Sequence, residues 1–226
     1  MLEYRIQNAS PFDGDKSPAI ILIHGYGSHA DDLFSFAPYL PKNHTIIAIQ
    51  APLSIGPSSY AWYPLQMDAS GEVTSELDAA WGAVQLIVDS IDELIEIEKL
   101  DPTDVSLLGF SQGAILSWAI AYHHSDKIRR IMALSGMIHE SIDTTSPPDF
   151  IAYASHGIND QVIPVHQPRN TIVPLSNQYE AISYHEYNDA HNVSQENFSA
   201  LNEWIEKTHF CSKISNPTET KDIIGG

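Results

Sequence analysis

Short runs of β-branched and aliphatic residues recur along the chain, separated by longer stretches with helical spacing. Residues 19–23, 45–49, 105–108, 131–134 and 150–153 are almost uninterrupted apolar runs, as strands buried on both faces of a parallel sheet must be. A sixth strand is expected at 182–187. Residues 1–6 alternate apolar and polar side chains without the charged leader and apolar stretch of a signal peptide, and read as a first strand. Between the strands, Ala80, Val84, Ile87, Ile91 and Leu94 line one helix face, with Ser75 and Asp78 placed as a capping pair. The opposite face carries Asp89, Asp92, Glu93, Glu96 and Glu98 and reads as solvated. Residues 114–123 form a helix directly after a strand, and 195–207 the last helix with Ser194 as its N-cap. Pro168 and Pro174 interrupt the crossover helix expected between the strands near Tyr153 and Tyr184.

This order of elements predicts an α/β fold, a mostly parallel central sheet with helices on both faces. No repeat or Gly/Ser linker divides the chain. Residues 1–208 are expected to form one domain, and 209–226 a polar, loosely ordered tail.

Composition narrows the picture. At 226 residues, 43% hydrophobic and 18% charged, the chain can bury a sizeable core and is unlike a disordered polymer. Its apolar runs end well before the roughly 20 residues of a transmembrane helix. Eleven Lys and Arg against 29 Asp and Glu give a net charge of −18, which disfavours nucleic acid as a partner. The only cysteine, Cys211, permits neither an internal disulfide nor a Cys-rich zinc site and fits a reducing, cytoplasmic setting.

The chemistry centres on Gly109-Phe110-Ser111-Gln112-Gly113. This G-x-S-x-G pattern, with a strand before it and a helix after it, is the context of a nucleophile elbow that lifts a serine clear of the sheet. A serine hydroxyl needs an imidazole to take its proton and a carboxylate to orient the imidazole. In this arrangement the chain order is serine, acid, histidine. Asp160 follows the strand ending near Tyr153, and His191 follows the strand ending near Tyr187, so both fall at the carboxyl edge where ligands gather. Asp149 precedes its strand, Asp189 abuts the histidine it would have to orient, and His185 lies within a strand; all three are weaker candidates. Oxyanion donors are expected from the backbone N–H of Gln112, after the serine, and of Tyr26 in His24-Gly25-Tyr26-Gly27, after an early strand. His24, His29, His123, His124 and His156 form neither an H-E-x-x-H nor a Cys/His spacing. They read as surface or loop residues, and no metal is expected. The first βα turn also lacks G-x-G-x-x-G, leaving no support for a dinucleotide cofactor.

With Leu22-Ile23-His24-Gly25-Tyr26-Gly27, Ala61-Trp62-Tyr63, the elbow, Ser155-His156-Gly157 with Asp160 and Ile163-Pro164-Val165, and His191 before the last helix, the chain resembles the phospholipase/carboxylesterase family of α/β-hydrolases. That group contains acyl-protein thioesterases and small bacterial carboxylesterases. The likeness covers about residues 18 to 207. It implies an α/β-hydrolase fold without a large cap domain, Ser111 as nucleophile, Asp160 as acid, His191 as base, Tyr26 and Gln112 as oxyanion donors, and Trp62 beside the acyl pocket. Ala114 and Asn192 depart from the family's habit of glycine, or glycine or serine, at those places. The expectation is a cofactor-free, monomeric or weakly dimeric serine hydrolase of small carboxylic esters, acting through an acyl-enzyme. An acyl-protein thioesterase or lysophospholipase is the alternative within the class. A non-catalytic ligand-binding protein on the same scaffold is the rival outside it.

Overall fold

The computed structural model describes residues 1–10, 14–67 and 73–209. Its elements run β1 (Tyr4–Gln7), β2 (Ser17–Ile23), α1 (Ala30–Phe34), β3 (Thr45–Ile49), the short β4 (Leu53–Gly56), β5 (Ser59–Ala61), β6 (Leu65–Met67) and β7 (Val73–Ser75), then α2 (Leu77–Ile97), β8 (Leu100–Phe110) and α3 (Gln112–His123). There follow β9 (Arg130–Leu134), β10 (Ile151–Gly157), α4 (His166–Thr171), α5 (Val173–Gln178), β11 (Ile182–Tyr187) and α6 (Gln195–His209). Seven strands make one sheet in the order β1-β3-β2-β8-β9-β10-β11. Neighbours are parallel except β1, which pairs antiparallel with β3.

Successive strand residues point to opposite faces, and both faces are covered. Ile21, Ile23, Leu107 and Ile131 pack with α2 and α3 residues such as Ile87 and Ile120 in one core. Ile20, Leu22, Leu108 and Met132 pack with Leu33 of α1 and Leu201 and Ile205 of α6 in the other. Two-sided burial is why the strands read as continuous apolar runs. Among the described residues, two short hairpins, β4–β5 and β6–β7, are added to this frame, and no large cap is present. No described helix is long and apolar enough to cross a membrane.

Local details depart from the sequence pattern. β8 starts at Leu100, five residues before the apolar run, because Leu100 pairs with Ser17. Backbone pairing with Leu65 draws Ser75 into β7, and Glu76 rather than Ser75 is the N-cap of α2, without a side-chain cap. Ser194 Oγ does accept the Asn197 N–H at 3.3 Å. The proline-broken crossover resolves into α4 and α5, meeting at Ile172. Pro174 occupies the first turn of α5, where no N–H is required. Residues 210–226, most of the expected tail, lie outside the described residues.

The strand order also places the site. From β2 the chain moves to β3 on one side, and it later returns as β8 on the other. The chain therefore changes direction between β2 and β8, and in open α/β sheets the carboxyl edge at such a point is where ligands gather.

Candidate active site

β8 ends at Phe110 and α3 begins at Gln112, so Ser111 alone makes the turn. It does so at φ 54° and ψ −116°, a backbone state costing a residue with a Cβ about 1–3 kcal/mol. The surroundings impose it. The Ser111 N–H donates to the Leu134 carbonyl of β9 at 2.9 Å, while the Ser111 carbonyl accepts from Ala114 and Ile115 at 2.9 and 3.1 Å. The flanking glycines supply space rather than the turn. A Cβ on Gly113 would strike the Ile23 carbonyl, and one on Gly109 would strike the Gly113 carbonyl.

Ser111 Oγ lies 2.9 Å from His191 Nε2, and His191 Nδ1 lies 2.7 Å from Asp160 Oδ2. With Nδ1–H donating to the carboxylate, Nε2 presents its lone pair to the serine hydroxyl. The Asp160 carboxylate is fully buried, and its Oδ1 accepts the Val162 and Ile163 N–H groups at 2.8 and 2.9 Å. The loops bearing Asp160 and His191 are stitched together: Ile158 N–H donates to Tyr187 O and Asn159 N–H to Asp189 O, each at 2.9 Å. Gly157 permits this approach, since a Cβ there would strike the Asp189 and Ala190 carbonyls. Asn192 Oδ1 accepts the Ala190 N–H at 3.1 Å, closing the turn around His191. The Phe110 ring lies 5.0 Å from the His191 ring.

The first N–H groups of a helix have no intrahelical partner, and at α3 the first belongs to Gln112. The loop after β2 abuts the same point: the Cβ direction of Gly25 meets Ser111 Cβ at 3.2 Å. That loop carries Tyr26, whose side chain is exposed. Gly27 N–H donates to Tyr60 O at 2.8 Å and Tyr60 N–H to Ser28 O at 3.0 Å, fixing the loop to β5.

His24, read from sequence as surface or loop, follows β2 directly and is fully buried beneath this loop. Its Nε2 accepts the Ala51 N–H at 3.1 Å, so the ring proton sits on Nδ1 and donates to Gly25 O at 2.8 Å. Burial pushes its pKa below the usual imidazole range. Trp62 is 2% exposed; its indole N–H donates to His24 O at 2.8 Å and its backbone N–H to Gln112 Oε1 at 3.0 Å. Gln112 Nε2 in turn donates to Tyr63 O at 3.0 Å. The Gln112 side chain thus clamps residues 62 and 63 to the start of α3.

His156, also read from sequence as surface or loop, is fully buried, with Nε2 2.7 Å from Ile163 O and 3.2 Å from Asp160 Oδ2. The sequence did hold a signal for the burial of both. His24 and His156 each continue an apolar strand run toward its carboxyl end, where a side chain is still inside the sheet sandwich. Among the described residues, no group of three or more His, Cys, Asp or Glu side chains is placed to hold a metal ion.

Residues 9–209 match the family model described as phospholipase/carboxylesterase. The chain belongs to that family. Among curated relatives of this family member, the acyl-protein thioesterase 1 of Kluyveromyces lactis is 25% identical over 208 residues, covering 83% of the chain and 90% of the relative. A feruloyl esterase C of Emericella nidulans is 32% identical over 120 residues, 49% of the chain. The match spans only 44% of that esterase, less than half its length. Among solved structures, esterase PE8 superposes with a TM-score of 0.76 at 23% identity, over 91% of this chain and 98% of that one. A Bacillus cereus carboxylesterase gives 0.78 at 15% identity, over 92% and 94%. The fold is that of the α/β-hydrolases.

Proposed function

We propose that this protein is a serine hydrolase of carboxylic esters, with Ser111 as nucleophile, His191 as base and Asp160 as the acid that orients it. The observation that carries the reading is the continuous path from Ser111 Oγ through His191 to Asp160, with links of 2.9 and 2.7 Å. In this reading Ser111 Oγ adds to the ester carbonyl carbon as its proton passes to His191 Nε2. The carbonyl oxygen becomes an oxyanion, met by the backbone N–H groups of Tyr26 and Gln112. When the tetrahedral adduct collapses, the C–O bond to the alcohol breaks and His191 returns the proton to the departing oxygen. Water, deprotonated by His191, then adds to the acyl-enzyme; collapse releases the acid and restores Ser111. Each proton-transfer group and oxyanion donor in this scheme belongs to the chain.

Small acyl groups are the favoured substrates, since no large cap is present among the described residues to enclose a long acyl chain. The buried indole of Trp62 braces the loop before Tyr26, and a role in the acyl pocket is assigned to it only through that loop. A second reading, a thioesterase for acylated proteins, is favoured by the Kluyveromyces lactis relative that the chain matches over most of its length. A cytoplasmic setting is consistent with either.

The test is hydrolysis of p-nitrophenyl acetate, butyrate, octanoate and palmitate by the wild type and Ser111→Ala. Turnover that falls off beyond butyrate and is lost by at least a thousandfold in the variant is the expected result. A profile rising toward palmitate would move the reading to the thioesterase. Equal turnover by both proteins, or failure of a fluorophosphonate to label Ser111, would overturn the assignment and favour a ligand-binding protein.

A further inference from the structure

Two imidazoles meet one oxygen of Asp160. His191 approaches Oδ2 at 2.7 Å from the side of Ser111, and His156 approaches it at 3.2 Å from within the fold. His156 is completely buried, and its bonding fixes its tautomer. Nε2 faces only acceptors, the Ile163 carbonyl at 2.7 Å and Asp160 Oδ2, so it carries the ring proton. Nδ1 is buried with no hydrogen-bond partner. A group used for proton transfer would need a route to solvent or substrate; this ring contacts the acid and the turn that holds it.

Ile163 links the two. Its carbonyl accepts from His156, while its N–H donates to Asp160 Oδ1 at 2.9 Å. Oδ1 is pinned by two backbone N–H groups. His156 bonds to the Ile163 carbonyl and lies 3.2 Å from Oδ2; without it the 160–163 turn loses that tie, and the carboxylate the turn holds could shift relative to His191. On the neighbouring strand, Glu186 stands opposite His156 in register and is tied to Arg169 at 2.6 Å, so that carboxylate is engaged elsewhere.

We propose that His156 is a positioning residue, a hydrogen-bond donor to the Ile163 carbonyl that closes the 160–163 turn and through it holds Asp160 Oδ2 in line with His191 Nδ1. The kinetic part of its test rests on the esterase reading; the spectroscopic part does not. The variants are His156→Phe, which fills the space without an N–H, His156→Gln, which retains a donor, Asp160→Asn, and the double variant of His156→Phe with Asp160→Asn. The readouts are the low-field proton resonance of His191 Nδ1–H and the kcat and KM for p-nitrophenyl butyrate.

The resonance is expected in the wild type and His156→Gln, and broadened or lost in His156→Phe and Asp160→Asn. Expected kinetics are a roughly 10- to 100-fold loss of kcat in His156→Phe, the range typical of removing a group that orients a ligand from behind, with KM within about twofold. His156→Gln should recover most of this, and the double variant should be no slower than Asp160→Asn. A sharp resonance with unchanged kcat in His156→Phe would overturn the proposal. So would the same fold-loss from His156→Phe whether or not Asp160 is present, the mark of a merely structural residue. If His156→Phe does not fold, His156→Gln decides alone: loss of the resonance despite a retained fold counts against the donor role. If the wild type turns over no ester, the esterase reading falls, and the resonance still tests His156.

Discussion

Replacing Gln112 by alanine removes both ends of the clamp between α3 and the segment before β6. The Trp62 N–H and Tyr63 carbonyl each lose a bond of 3.0 Å, where Gln112, Trp62 and Tyr63 are only 3%, 2% and 4% exposed. An unpaired buried polar group costs about 1–3 kcal/mol, so two together should cost about 2–5 kcal/mol after local relaxation. For a chain of this length each kcal/mol lowers Tm by about 2–4 °C, and Gln112→Ala should melt roughly 4–20 °C early. Gln112→Glu separates hydrogen bonding from volume. One carboxylate oxygen still accepts from Trp62, while the other faces the Tyr63 carbonyl where an N–H stood. Protonation restores a donor, so the deficit of Gln112→Glu should be smallest below about pH 4, the ordinary glutamate range. It should widen as pH rises, because burial and the facing carbonyl oppose the charge and raise the folded-state pKa above the unfolded one. Thermal unfolding followed by circular dichroism from pH 4 to 8 measures both effects. Melting of Gln112→Ala within about 1 °C of wild type, or a Gln112→Glu curve parallel to wild type at all pH values, would refute the clamp.

Three further outcomes are expected. Asp160→Asn should lower kcat for a p-nitrophenyl ester by about 10⁴-fold with little change in KM, as the same swap does in a serine-protease triad; a loss below tenfold would remove Asp160 from the mechanism. Gly113→Ala places a methyl group against the Ile23 backbone and should cost about 3 kcal/mol or more. Gly82→Ala in α2, where a Cβ meets nothing within 4 Å, should stabilise by about 0.5–1 kcal/mol. Urea midpoints of the two variants give the comparison, and similar midpoints would contradict it. Burial lowers the pKa values of His24 and His185, so the unfolded chain binds more protons as pH falls through about 6.5. Stability should therefore decline from pH 7.5 to 5.5 in urea titrations, and a midpoint that rose over that interval would count against the assignment.

The strands were legible because two-sided burial leaves a composition signature: 45–49 and 182–187 are strands at those bounds. The hairpins β4–β5 and β6–β7 were not, since strands of three or four residues are too short to impose a pattern. Their pairing also displaced the α2 cap from Ser75 to Glu76. The elbow serine and its two partners could be picked out because each follows a strand on the same edge. The roles of the Gln112 side chain, His24 and His156 could not, because they depend on which backbone groups a loop leaves unpaired. Trp62 shows the same limit. Its place in the chain marks it for the site, while its indole N–H is committed to the His24 carbonyl.

Ser111 and His191 touch across 80 positions of chain, and Asp160 and His191 across 31. During synthesis the elbow leaves the ribosome long before its histidine, and the contact cannot form until β11 has docked on β10 at the far side of the sheet. If the proposed mechanism holds, regain of activity during refolding reports the arrival of the last strand, and a chain interrupted before residue 191 lacks the group proposed to deprotonate Ser111.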